Sequence, residues 1–166
     1  NVRIHHNMLY NNASIGDALF TGTPAGAGGV TVSAGGDNYQ IDHNWIAGNL
    51  STGDGGGLQT LGVSFNGKIN NNYILFNQST NPTLPTNGGG VVIQGANEPR
   101  TFQGAECGGT TDHDCPPGLG DGTGAGLVID ANLILGNSAE SGSGGGFLGR
   151  SNTQQRVEFF GIEMTN

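Results

Sequence analysis

The sequence is poor in positive charge: five Lys and Arg stand against 13 Asp and Glu, for a net charge of −8. A phosphate backbone is bound by neutralising its charges with Lys and Arg, so nucleic acid is excluded as a partner. Long apolar runs are also missing, and no stretch approaches the roughly 20 residues that a membrane-spanning helix requires. Cysteine is nearly absent, with Cys107 and Cys115 alone. A disulfide scaffold is therefore excluded, although one short disulfide loop suits an oxidising, extracellular compartment. There is a single Trp, and hydrophobic residues make up only 34% of the chain. What is abundant is glycine, 33 of 166 residues. Each Gly inside a helix costs about 1 kcal/mol, so such a composition argues against long helices.

The apolar residues that are present recur at fixed places. "IHHNMLYNN" at 4–12, "IDHNWIAGN" at 41–49, "INNNYILFN" at 69–77 and "IDANLILGN" at 129–137 share the pattern I-x-x-N-x-[IL]-x-x-N. The first Asn is Asn7, Asn44, Asn72 and Asn132, and the second is Asn12, Asn49, Asn77 and Asn137. A glycine run follows each copy (28–29, 55–57, 88–90, 144–146), and then a short apolar run: "VTV", "LQTL", "VVI" and "FL". Such self-similarity signals a stacked repeat. The copies begin 37, 28 and 60 residues apart, which excludes a rigid hexapeptide coil and fits constant strands joined by variable loops. The spacing predicts three short strands per turn: the run after the glycines, the run ending at the Ile, and the run after the first Asn. The Asn residues are expected at sharp corners, since Asn tolerates left-handed backbone. Their amides should bond to one another from coil to coil, forming a ladder inside an apolar core.

This pattern resembles the parallel β-helix repeats of the pectate-lyase-like superfamily. The resemblance implies an all-β, right-handed parallel β-helix of about four coils with variable loops. Residues 1–166 then form a single β-helix segment, cut at both ends, with a loop insertion at 13–27 and a longer one at 96–125 that carries both Cys. "VEFFGIEMTN" at 157–166 reads as the approach to a fifth copy, with Met164 in the Ile place. Because solenoids need polar caps, the open ends are expected to meet the rest of a longer chain or neighbouring subunits.

In enzymes of this fold, the resemblance implies catalytic carboxylates on the strand after the loop. "VTV", "LQTL", "VVI" and "FLGR" offer no Asp, Glu or His, and only Arg150. Asp54 and Glu140 sit in neighbouring loops without an evident partner, and no catalytic residue is assigned. No standard metal pattern occurs either. The candidate ligands are His5, His6, Asp42 and His43, which stacking brings to one face, and Asp112, His113 and Asp114 between the two cysteines. The spacing C-x₇-C fits a disulfide loop better than a zinc site. "GDGGGLQTL" at 53–61 lacks the second Asp and the period of a Ca²⁺-binding β-roll, and "GDGTGAG" at 120–126 precedes no helical pattern that would make it a phosphate loop. No cofactor is implied, although the surplus of acid would suit Ca²⁺ as well as solubility. The sequons at Asn12, Asn49 and Asn77 fall on the ladder, where an inward side chain leaves no room for a glycan. Tyr10, Phe20, Phe65, Phe76 and Phe102 are too scattered to mark a binding face.

The expected function is that of a structural or binding β-solenoid module of a larger extracellular or cell-surface protein. Its partners would be neighbouring subunits or glycans, and no catalysis is expected within this segment. One alternative is part of a carbohydrate-active lyase, hydrolase or epimerase with its catalytic residues elsewhere. The other is a self-associating fibre subunit.

Overall fold

The computed structural model describes residues 1–16, 25–32, 36–61, 66–83, 85–94, 126–140, 142–150, 158–160 and 163–165. Among these residues there are strands, turns and no helix. The first repeat supplies β1 (Arg3–His5), β2 (Met8–Tyr10), β3 (Ala13–Ser14) and β4 (Val30–Val32). The second supplies β5 (Gln40–Asp42), β6 (Trp45–Ala47), β7 (Leu50–Ser51) and β8 (Leu58–Leu61). The third supplies β9 (Lys68–Asn70), β10 (Tyr73–Leu75), β11 (Gln78–Ser79) and β12 (Val91–Gln94). Next come β13 (Val128–Asp130), β14 (Leu133–Leu135), β15 (Ser138–Ala139) and β16 (Phe147–Arg150), then β17 (Glu158–Phe160) and β18 (Glu163–Thr165).

These strands stack into four parallel sheets, ordered β1-β5-β9-β13-β17, β2-β6-β10-β14-β18, β3-β7-β11-β15 and β4-β8-β12-β16. This is the arrangement of a parallel β-solenoid. Each repeat thus contributes four strands, not the three expected. The additional one is the two-residue strand after the second Asn, and β3 lies inside the 13–27 stretch read as loop. The C-terminal register also differs from the expectation. Phe159 pairs with Ile129 and Met164 with Ile134, so Phe159 holds the first Ile place and Met164 the second apolar place. Phe159 and Met164 are five residues apart in the sequence, as Ile129 and Ile134 are, so the same register serves both strands.

The register aligns like with like: Ile4, Ile41, Ile69 and Ile129 in one column, and Leu9, Ile46, Ile74 and Ile134 in another. Val30, Leu58, Val91 and Phe147 form the third. Ile41, Ile46, Ile69, Ile74, Leu58 and Val91 are buried to 1% exposure or less. Each such side chain stabilises the fold by about 1.5–3 kcal/mol.

At two corners of each of the first four repeats stands an asparagine ladder. The backbone N–H and the amide of Asn7 both donate to Asn44 Oδ1, at 3.1 Å each. Asn44 does the same to Asn72 at 3.0 Å, and Asn72 to Asn132 at 2.9 Å. Asn12, Asn49, Asn77 and Asn137 repeat the scheme at the next corner. The amides of Asn44, Asn72 and Asn132 also donate to the carbonyls of Ile4, Ile41 and Ile69 of the preceding repeat. The buried amides of Asn44, Asn72 and Asn49 thus each have acceptors, and a polar column can lie in an apolar interior because its amides are paired.

The left-handed residue is not the ladder Asn but the one before it. His6, His43, Asn71 and Ala131 have φ of 51–55° ahead of the first ladder, and Asn11, Gly48, Phe76 and Gly136 have φ of 52–65° ahead of the second. The turn therefore happens one residue early, which leaves the Asn free to point inward and bond. The glycine run answers a different need. A Cβ on Gly57 would lie 2.7 Å from Gly90 O and 2.8 Å from Asn77 Nδ2. Only a residue without Cβ lets the backbone pass this close to the second ladder.

Candidate functional site

Because the ladder Asn and the central residue of each second-sheet strand point inward, the residue between them points out. That position is Met8, Trp45, Tyr73 and Leu133, in register across β2, β6, β10 and β14. Trp45 is 42% exposed, Tyr73 49% and Met8 70%. The rings of Trp45 and Tyr73 stack with centroids 5.2 Å apart and 29° between planes. The other outward column of this sheet starts at Tyr10 and passes through Ala47 to Leu75. Phe76 follows Leu75 at the corner, 63% exposed, with φ of 52°. Left-handed backbone is an outlier for a bulky aromatic side chain. Its ring lies over Gly136, in the space that a side chain there would fill. Tyr10, read from sequence as scattered, thus shares the outward side of this sheet with Trp45 and Tyr73, and Phe76 stands at the corner that follows.

Beside this face runs a groove of about 530 Å³, lined by His43, Asn71, Asn72, Tyr73, Ala131, Asn132 and Leu133. It follows the corner between the first two sheets. Ala131 stands where earlier repeats have His6, His43 and Asn71, and its small side chain leaves the space open. The amides of Asn72 and Asn132 are committed to the ladder. The polar groups offered to a ligand are therefore those of His43 and Asn71, opposite the apolar wall of Tyr73 and Leu133. The lining holds no carboxylate, Lys or Arg.

The cluster expected at His5, His6, Asp42 and His43 forms as one connected network. Arg3 donates to the Asp42 carboxylate through Nε at 2.8 Å and through a terminal nitrogen at 2.7 Å. His43 Nδ1 lies 2.9 Å from the same carboxylate. The Asp42 side chain is fully buried, and the Arg3 hydrogen bonds, helped by His43, hold its carboxyl well below the usual carboxylate range. The His43 ring stacks on His6 at 5.0 Å with 2° between planes, and His6 Nδ1 lies 2.9 Å from His5 Nδ1. Among the described residues no three His, Cys, Asp or Glu side chains converge as a metal site.

Asp54 and Glu140 both have partners. Asp54 accepts from the backbone and amide nitrogens of Asn87 at 2.7 and 3.2 Å, and Glu140 accepts from the Thr80 hydroxyl. These contacts tie neighbouring loops together. Asn49 and Asn77 are buried, which leaves no space for a glycan, whereas Asn12 is exposed with its amide bonded to Asn49. Cys107, Cys115, Asp112, His113, Asp114, Phe20, Phe65 and Phe102 lie outside the described residues. Among the described residues no helix is long and apolar enough to cross a membrane.

Sequence reasoning missed the Trp45–Tyr73 pair. The signal was the residue immediately after the first Asn, which is large and apolar in all four copies. Compared with protein-family models, with curated proteins and with solved structures, the chain finds no match.

Proposed function

We propose that this chain is a carbohydrate-binding module of a larger extracellular or cell-surface protein, built as a right-handed parallel β-helix of the pectate-lyase-like kind. The observation that carries the binding reading is the stacked, half-exposed Trp45–Tyr73 pair beside the groove. Trp and Tyr offer a flat apolar face with a polar tip, and that face suits the C–H surface of a sugar ring. Ligand sites combine such apolar walls with a few polar groups that fix orientation, a role that falls to His43 and Asn71. With no carboxylate or Lys and Arg in its lining, the groove suits a neutral polyhydroxylated ligand. Successive rungs lie about 4.8 Å apart, so an extended glycan chain can lie across Trp45, Tyr73 and the groove beside them. General acid and base work on a glycan needs positioned acids. The groove lining supplies none, so binding is the reading its chemistry supports.

Trp45 is the single tryptophan of the chain, which makes the test direct. Affinity electrophoresis against a panel of neutral polysaccharides should retard the protein, and a retarding glycan should change Trp45 emission. Burying a large apolar side chain is worth about 1.5–3 kcal/mol. Trp45→Ala and Tyr73→Ala should each weaken binding by roughly tenfold or more. A panel with no retarding glycan, or a Trp45→Ala protein retarded like the native one, refutes the proposal.

A further inference from the structure

We propose, resting on the carbohydrate reading of this face, that a neutral hexose ring stacks on the far side of Tyr73 alone, and that Ala131 is the residue that admits it. The rings of Trp45 and Tyr73 lie 5.2 Å apart with 29° between planes, so each covers one face of the other. The uncovered face of Tyr73 is the one turned toward Leu133, its register neighbour in the next repeat. Tyr73 and Leu133 both line the groove, and Trp45 does not. Tyr73 is therefore the ring that meets the ligand. Trp45 is a positioning residue that backs it.

Two columns of large side chains break off at the same repeat. At the left-handed corner His6, His43 and Asn71 give way to Ala131, with φ of 51–55° throughout. His6 and His43 stack there with ring centroids 5.0 Å apart, so large side chains at this corner fill the space between repeats. In the outward column Met8, Trp45 and Tyr73 give way to Leu133. The result is a step below Tyr73, closed on its inner side by Asn72 and Asn132, each 1% exposed and bonded to one another. A ring entering edge-first reaches as far as this ladder, with its C–H face on Tyr73. Its rim then lies beside the exposed Asn71, whose amide can donate to or accept from a hydroxyl. An apolar wall with few polar groups is the usual make-up of a ligand site. A uronic acid would find no Lys or Arg in the lining to pair its carboxylate, and the ligand is a neutral hexose for that reason.

The test titrates methyl glucoside, methyl galactoside and galacturonic acid into protein labelled with ¹³C-tyrosine. The chain has three Tyr, and Tyr73→Phe assigns the Tyr73 ring signals. A neutral glycoside should shift those signals and leave Tyr10 and Tyr39 in place, and galacturonic acid should shift none. Ala131→His restores the side chain that the first two repeats carry at this corner, and it should weaken binding at least tenfold. Leu133→Trp, which covers the far face of Tyr73 from a position where Trp45 is already tolerated, should do the same if Ala131→His fails to fold. Trp45→Phe keeps a flat ring behind Tyr73 and should bind within a few fold of the native protein, unlike Trp45→Ala. Tighter or equal binding of galacturonic acid overturns the neutral-hexose assignment. A polysaccharide that retards the native protein and the folded Ala131→His or Leu133→Trp protein alike overturns the subsite and leaves the carbohydrate reading standing. Binding of neither glycoside nor any polysaccharide overturns both.

Discussion

Removing one amide from the middle of the ladder should cost far more than removing one from its exposed end. Asn72 is 1% exposed. Its Oδ1 accepts from the N–H and the amide of Asn44, and its own amide donates to Asn132 Oδ1 and to Ile41 O. In Asn72→Ala the Asn44 N–H and the Ile41 carbonyl lose these partners inside the core. A buried polar group left unpaired costs about 1–3 kcal/mol, so the two together cost roughly 2–6 kcal/mol. That is a large share of a total stability of about 5–15 kcal/mol. Asn7 makes comparable bonds to Asn44 Oδ1 and His5 O but is exposed. Water replaces what it loses, and Asn7→Ala should cost about 0.5–1.5 kcal/mol. Asn72→Asp separates the ladder from a simple volume effect. The carboxylate keeps the shape but sets acceptors against Ile41 O and Asn132 Oδ1, so it should be worse than Ala at neutral pH. Its folded-state pKa must be raised, because burial and facing acceptors favour the protonated form. Its stability should therefore improve as pH falls and be lost as pH rises through that value. Urea unfolding of the three variants gives these differences as midpoint shifts at constant slope. Equal losses for Asn72→Ala and Asn7→Ala, or an Asn72→Asp protein as stable as the native one at pH 7, would refute the ladder as a source of stability.

Other outcomes follow from neighbouring features. Gly57→Ala should destabilise by about 1–3 kcal/mol, the usual cost of overpacking, because its Cβ meets backbone. Gly145→Ala, whose nearest contact would be Asn137 O at 3.1 Å, should cost less in the same urea assay. Asp42 has a depressed folded pKa, so its contribution is present above about pH 4 and is lost as pH falls further. Arg3→Gln should flatten the acid limb of a stability–pH profile, and an unchanged limb would contradict the Arg3–Asp42 assignment. Phe76→Asn should raise the melting midpoint, since the left-handed backbone costs a residue with a bulky side chain roughly 1–2 kcal/mol and Asn tolerates it.

The interior of this protein was readable because it repeats. Ile41, Ile69 and Ile129, with Asn44, Asn72 and Asn132, occupy positions where a stack of rungs admits little else, and their spacing alone predicts sheets and ladder. The corner itself was misplaced by one residue. Asn11, Gly48 and Gly136, directly before the second ladder Asn, carry the left-handed signature, and the eye passes over them for the invariant Asn that follows. The fourth sheet was missed because two-residue strands are too short for an alternation to show. Its trace is the small residue in its inward column, Ser14, Ser51, Ser79 and Ala139, paired in register. Pairings across 37, 28 and 60 residues place His6 on His43 and Arg3 on Asp42, and only the register of the first sheet makes those contacts specific.

The outward positions obey a different logic, and the proposed site rests on them. Packing demands nothing of the residue after the first Asn, since it faces water and the Asn and Ile beside it already complete the core. A solenoid could place Ser or Thr there at no cost to its fold. Trp45 and Tyr73 instead leave large aromatic surface in contact with solvent, and contiguous exposure of this kind marks interaction sites. Phe76, at the corner that follows, accepts an unfavourable backbone conformation with an exposed ring, and strain of this kind gathers at functional sites. The two properties are therefore separable by mutation. Trp45→Ala should change the urea midpoint little while abolishing glycan retardation, and Asn72→Ala should lose stability while the protein that remains folded still binds. If Trp45→Ala instead unfolds the protein, the stacked pair serves the fold, and the argument that its exposure signals a ligand fails.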